Sequence, residues 1–251
     1  MKYFALTNKG FKRTRNEDAY SIGFNLNHDV LLYVCDGVGG SNAGDVASNT
    51  LARFIAEDFS NRQAFKNDLE IIQYLKEVIR KASDEIYTMS IVNEKYNGMG
   101  STITGLLIAN DGAFVFNVGD SRVYGHNNGL LKQLTVDDNL QNKLSYEKVV
   151  SAKEIENHPQ KNYLTNVCGM WANVKVNVFK LHETYEHFLI CSDGLSSYVE
   201  EKVILDIIQN NEVSLQFKVK ELIKMSLDSG GNDNVTVILG KWGDCNGKND
   251  S

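Results

Sequence analysis

Two stretches of this 251-residue chain share a form in which an apolar run leads straight into Asp-Gly. One is Leu31-Leu32-Tyr33-Val34-Cys35-Asp36-Gly37, and the other is Phe188-Leu189-Ile190-Cys191-Ser192-Asp193-Gly194. A carboxylate at a strand end is held rigidly where the sheet meets solvent. The glycine after it has no side chain, so backbone groups can approach a ligand closely. A third carboxylate, Asp233, lies in Gly230-Gly231-Asn232-Asp233-Asn234-Val235, just before another apolar run. Three carboxylates from positions 36, 193 and 233 can therefore converge at one sheet edge. Asp-Gly is also ordinary turn chemistry, so each pair taken alone reads first as a turn.

Further polar motifs lie between them. Arg13-Thr14-Arg15-Asn16-Glu17-Asp18-Ala19 stands near the start, and Asn117-Val118-Gly119-Asp120-Ser121-Arg122 in the middle. With these included, the sequence resembles the metal-dependent protein phosphatase family, type 2C, in its compact bacterial serine/threonine form. The matching runs are Arg-x-x-Asn-Glu-Asp-Ala (13–19), Asp-Gly-Val-Gly-Gly (36–40), Gly-Asp-Ser-Arg (119–122), Ser-Asp-Gly-Leu (192–195) and Gly-Gly-Asn-Asp-Asn-Val-Thr-Val (230–237). Each is weak by itself. Their shared order across nearly the whole chain is what carries the resemblance.

The resemblance implies an α+β fold: two packed antiparallel sheets flanked by helices, with a binuclear metal centre at one end. It implies that Asp36 bridges two cations, one of which also takes the Gly37 carbonyl. Asp193 and Asp233 would complete the other, and Glu17 would hold a metal through water. Asp120 matches a carboxylate that binds a third, weaker metal together with Asp193. Arg13 matches the arginine that grips the substrate phosphate, with Arg15 a nearby competitor. The implied catalytic set is Arg13, Asp36 and Asp193, and the implied reaction is direct hydrolysis of phosphoserine or phosphothreonine in proteins, opposing a serine/threonine kinase.

The donor chemistry agrees. All-oxygen ligands select hard Mg²⁺ or Mn²⁺ over zinc, which prefers nitrogen and sulfur. Two cations about 4 Å apart can polarise a water and aim it at phosphorus. The five histidines (28, 126, 158, 182, 187) show no paired metal spacing and are expected on the surface or in loops. Other phosphatase chemistries fail. A cysteine nucleophile needs arginine six positions on, where Ser41, Val174, Ser197 and Ser251 stand instead, and there is no Asp-x-Asp-x-Thr run. A dinucleotide loop from Gly37 lacks its third glycine, at Asn42, and carries Asp36 and Asp45 where pyrophosphate would sit. A silent, phosphoprotein-binding member of the same fold is the sharper rival, although every expected metal carboxylate is present.

Three places depart from the family pattern. Val38 occupies the position at which some members carry a histidine general acid. Thr135-Val136-Asp137-Asp138 replaces Thr-x-Asp-His, and Leu164-Thr165-Asn166-Val167-Cys168-Gly169 replaces Leu-Thr-Arg-Ala-Leu-Gly. Residues 139–166 correspond to a flap beside the active site, expected to be a solvated loop with a helix or two that contributes to substrate choice.

These residues must be positioned by ordinary elements. With 42% hydrophobic and 23% charged residues, the chain is a folded globular one. At its length roughly three-quarters of the unfolded surface is buried, so no disulfide is needed. Twenty-six basic against 32 acidic residues leave a net charge of −6, which argues against a nucleic-acid or anionic-membrane binder. No apolar leader or spanning run is present, so a cytoplasmic protein is expected. Cys35, Cys168, Cys191 and Cys245 are scattered and read as reduced thiols.

Strands are predicted at 3–6, 19–24, 31–35, 102–108, 113–118, 122–124, 130–134, 174–181, 188–191 and 235–239, with a hairpin at Asn127-Asn128-Gly129. Apolar residues at steps of three and four predict helices over 43–59, 68–89 and 215–227. Strands and helices that do not alternate point to antiparallel sheets rather than a doubly wound parallel one. A single catalytic domain over 1–242, including the 139–166 flap subdomain, and a polar tail at 243–251 complete the expectation. A monomer is expected.

Overall fold

The structure is a computed structural model that describes residues 1–39, 43–110, 112–148 and 150–242. The 243–251 tail, Cys245 and the end of the 36–40 glycine run lie outside the described residues. In chain order come β1 (Lys2–Asn8), β2 (Asp18–Phe24), β3 (Val30–Val38), α1 (Gly44–Ser60) and α2 (Asp68–Val92). Next are β4 (Gly100–Ser101), β5 (Ile103–Ala109), β6 (Gly112–Val118), β7 (Arg122–Asn127) and β8 (Leu130–Gln133). After α3 (Leu140–Glu147) and α4 (Ala152–Glu156) follow β9 (Asn177–Lys180), β10 (His187–Cys191), α5 (Asp193–Ser196), α6 (Glu201–Gln209), α7 (Leu215–Asp228) and β11 (Val235–Lys241).

The strands form two antiparallel sheets, ordered β1-β11-β10-β7-β8 and β2-β3-β5-β6-β9, with β4 pairing beside β3. The strands beside β3 (β2, β4 and β5) all run antiparallel to it, which removes the dinucleotide alternative. Alternation along β3 shows how the layers arise. Leu31, Tyr33 and Cys35 face α1 and α2, packing with Leu51, Ile55, Leu75 and Ile79. Leu32 and Val34 face the other way, into a dry layer between the sheets shared with Val123, Phe188, Ile190 and Ile238. On the far side Tyr124, Leu189 and Leu239 pack under Ile204, Ile208 and Leu222 of α6 and α7. The helix–sheet–sheet–helix sandwich is the expected one.

α2 starts at Asn67, whose side chain accepts from Glu70 N at 3.0 Å and satisfies one free amide of the first turn. The 127–130 hairpin turns through Asn128 (φ 51°) and Gly129 (φ 72°), the left-handed pair that a two-residue connection requires. Three expectations change. Val174 and Val176 are buried but precede a strand that is only Asn177–Lys180. α6 was not predicted: its apolar residues are packed into nine positions, too few to declare a period. Two histidines expected at the surface or in loops, His126 and His187, are buried on neighbouring strands. Cys35, Cys168 and Cys191 are buried free thiols.

Because neighbouring strands run oppositely, the ends of β1, β3, β6 and β10 and the starts of β2, β7 and β11 share one edge of the sandwich. Every expected site residue lies there.

Candidate metal centre and phosphate site

Asp36 is not in a turn. It lies within β3, next to Gly37, which pairs with Ser101 across the short β4. Its backbone is fixed from both sides: Asp36 N donates to Thr102 Oγ1 (3.1 Å), and its carbonyl accepts from Thr102 N (2.9 Å). Gly37 N donates to the Glu17 carbonyl at 3.0 Å. A Cβ on Gly44 would stand 2.8 Å from the Gly37 carbonyl oxygen and 2.9 Å from Glu17 Oε1. The two oxygens therefore face one small space that only glycine at the start of α1 leaves open.

Asp193 caps the other apolar run, as the first residue of α5 immediately beyond β10. Asp233 precedes β11, and Asn234 beside it ties that loop to three points of the connection between β1 and β2. Its side-chain oxygen accepts from Glu17 N (2.8 Å), while its amide donates to the carbonyls of Lys9 (2.8 Å) and Arg15 (2.9 Å). Asp120 lies in the turn joining β6 to β7. Gly119 before it has φ 100°, and a Cβ there would press into the Thr102 side chain, so the turn is written for glycine. Thr102 Oγ1 and Ser121 Oγ, 2.8 Å apart, link this turn to Asp36.

The carboxylates feel one another. Burial raises Asp36 well above the ordinary carboxylate range, and Asp18, Asp193, Asp120 and Asp233 add to the rise. Asp193 is also raised, first by burial and then by Asp233, although Arg13, Arg122 and a hydrogen bond with Asp36 oppose the shift. Asp120 is pushed up to about 7 by burial, Asp193 and Asp137. Such crowding is unfavourable for a bare protein and turns favourable when cations enter. Among the described residues, no three of these carboxylates bring oxygens within 4.8 Å of one another. They line a cup wider than the shell of a single ion.

Arg13 lies at the cup's rim, half exposed, with Nη2 2.8 Å from Asp233 Oδ2. Arg15 points elsewhere, to Asp45 of α1 at 3.7 Å. Val38 is paired with Gly100 and offers no proton.

Several supporting residues were not assigned by sequence reasoning. Asp18 is buried, and its Oδ2 accepts from Ser192 Oγ (2.8 Å) and Thr236 Oγ1 (2.7 Å). It fastens β2 of one sheet to the ends of β10 and β11 in the other, directly behind Asp193. Its Oδ1 is buried with no partner, and burial above all pushes the acid up to about 7. Asp137 takes a forked pair of bonds from Arg122 (2.7 and 3.0 Å), and Asp138 Oδ2 accepts from Gly119 N (3.1 Å) and Asn166 Nδ2 (2.7 Å). Asp138 thereby fastens the base of the 139–164 excursion to the Asp120 turn. The donor set is all oxygen, mutually repelling and unmatched by buried cations, and this fits hard divalent ions.

The chain matches the family described as Protein phosphatase 2C over residues 11–235. It is 34% identical to the serine/threonine phosphatase stp of Listeria welshimeri, over 93% of this chain and 92% of that protein. It is 29% identical to the protein phosphatase PhpP of Streptococcus pneumoniae, over 95% and 96% respectively. Among solved structures, that of the serine/threonine phosphatase Stp1 from Staphylococcus aureus superposes with a TM-score of 0.89 at 30% identity, covering 96% of this chain and 95% of that one. The chain belongs to the protein phosphatase 2C family.

Proposed function

We propose that this chain is a protein-serine/threonine phosphatase that hydrolyses phosphoserine and phosphothreonine directly, using Mg²⁺ or Mn²⁺. The observation that carries the reading is the convergence of Glu17, Asp36, Asp120, Asp193 and Asp233 on one sandwich edge with Arg13 at its rim. Asp36, Asp193, Asp233 and the Gly37 carbonyl would hold two cations, Glu17 would act through water, and Asp120 with Asp193 would hold a third, weaker one. Bound there, the cations would supply an acidified water and neutralise charge on the phosphoryl oxygens.

The chain's own groups do the rest. Arg13 would leave Asp233 for a phosphate oxygen, exchanging one charge-assisted bond for another and freeing that carboxylate for the centre. Thr102 and Asn234 fix the backbone at Asp36 and Glu17, and Asp18 ties down Ser192 beside Asp193, so little reorganisation of the backbone carrying these carboxylates is needed while charge develops. Val38 makes no proton available to the leaving alkoxide, which leaves that task to water or to another residue.

The reading extends to phosphoproteins as substrates, opposition to a serine/threonine kinase, residues 1–242 as one catalytic unit acting as a monomer, and the cytoplasm as its site. Among the described residues no helix is long and apolar enough to cross a membrane. The test is Mn²⁺-dependent phosphate release from a phosphothreonine peptide, with Asp36→Asn as control. Turnover that needs Mn²⁺ and is lost in the variant supports the reading. A Mn²⁺-loaded chain that binds the peptide without releasing phosphate would replace it with a silent phosphoprotein binder.

A further inference from the structure

The opposite end of β10 carries a different group of ligating side chains. His187 opens the strand and stands directly across from His126 on β7. Both are buried, 1% and 4% exposed, and their Nδ1 atoms are 3.2 Å apart. Glu186, exposed, is pinned by its backbone: its N donates to the His126 carbonyl (2.9 Å), and its carbonyl accepts from Trp242 N (2.8 Å). One nitrogen of each ring and one Glu186 oxygen lie within 4.8 Å of each other.

We infer that His126, His187 and Glu186 form a second cation site, of the borderline, nitrogen-preferring class that Zn²⁺ represents. Two imidazoles and a carboxylate are a recognised zinc donor set that leaves a fourth position for solvent. Two nitrogens bound tetrahedrally at 2.0–2.1 Å stand about 3.3 Å apart, so the rings already hold the required spacing. Strand register fixes that spacing, and a chance pair of loop histidines has no such constraint.

The two Nδ1 atoms face each other at hydrogen-bond distance, so an ion would take the place of a proton between them. Lys241 stands across from His187 on β11, and Lys218 donates to the Ile208 carbonyl. Glu186, the exposed member of the three, lines a cleft of about 920 Å³ with Asn127, Asn211, Lys241 and Trp242. β10 runs only from His187 to Cys191, so at about 3.3 Å per residue this site lies more than about 10 Å from the carboxylate cup, at the other end of the strand.

The site is independent of the phosphatase reading, and its test does not measure turnover. The full chain carrying Asp36→Asn and Asp193→Asn, which disables the cup, is titrated calorimetrically with Zn²⁺ and by visible absorption with Co²⁺. The expected result is one equivalent of Zn²⁺ bound and a Co²⁺ spectrum of tetrahedral type. Adding His126→Gln or Glu186→Gln should weaken Zn²⁺ binding at least tenfold. Glu186 is exposed, so its variant remains informative should the buried His126 variant misfold. No binding in the parent, or equal binding with and without Glu186→Gln, would leave a hydrogen-bonded imidazole pair and overturn the proposal.

Discussion

In the structure Arg13 bonds to Asp233, whereas the proposed reaction asks it to hold a phosphate oxygen. A hydrogen bond between charged groups contributes about 1.5–3 kcal/mol. Arg13→Ala should therefore raise KM for a phosphopeptide about 10- to 100-fold and change kcat much less, as steady-state kinetics would show. Asp193→Asn should do the reverse and act mainly on kcat. Equal effects on both constants in both variants would contradict this division. Asp18 makes a separate residue-scale case. Asp18→Ala removes the buried acceptor shared by the Ser192 and Thr236 hydroxyls between the sheets and should lower Tm by several degrees. Asp18→Asn keeps an acceptor in the same place and should unfold close to the parent at neutral pH.

At the scale of elements, the carboxylates are delivered by strand ends, and this part was legible in the sequence. An apolar run followed by Asp-Gly marks Asp36 and Asp193 because burial, strand propensity and the missing side chain are all local properties. What was not legible depends on partners far along the chain. Asp18 acquires its role only when Thr236 arrives, 218 residues later, and the His126–His187 pair exists only through the register of β7 on β10. Val174 and Val176 alternate as a strand should, yet only residues from 177 onward find a neighbour, β6. The 139–164 excursion is closed at its base by Leu140 N to the Tyr163 carbonyl (2.9 Å) and anchored through Asp138. Replacing that excursion with a relative's should change the preference among phosphopeptides and leave hydrolysis of a small phenyl phosphate ester within about twofold. An unchanged peptide ranking would remove the excursion from substrate choice.

For the whole molecule, the cup concentrates acidic charge in a chain already at −6. Asp18 and Asp120 are raised from an ordinary 3.8 to about 7, chiefly by burial, so the folded chain keeps protons that the unfolded chain releases. Their contribution to stability is present below about pH 4 and is lost as pH rises through about 7. Without divalent ions, Tm should therefore be higher at pH 5 than at pH 8. Mn²⁺ should restore it at pH 8, because ions that bind only the folded state stabilise it. Asp18→Asn should flatten the slope, and a metal-free Tm that climbs from pH 5 to pH 8 would contradict the assignment.

The most direct measurement is anomalous diffraction at the manganese edge from crystals grown with Mn²⁺. Two peaks about 3.5–4 Å apart are expected among Asp36, the Gly37 carbonyl, Asp193 and Asp233, with Arg13 swung away from Asp233. A cup without anomalous density, its carboxylates still apart and Arg13 still bound to Asp233, would contradict the account.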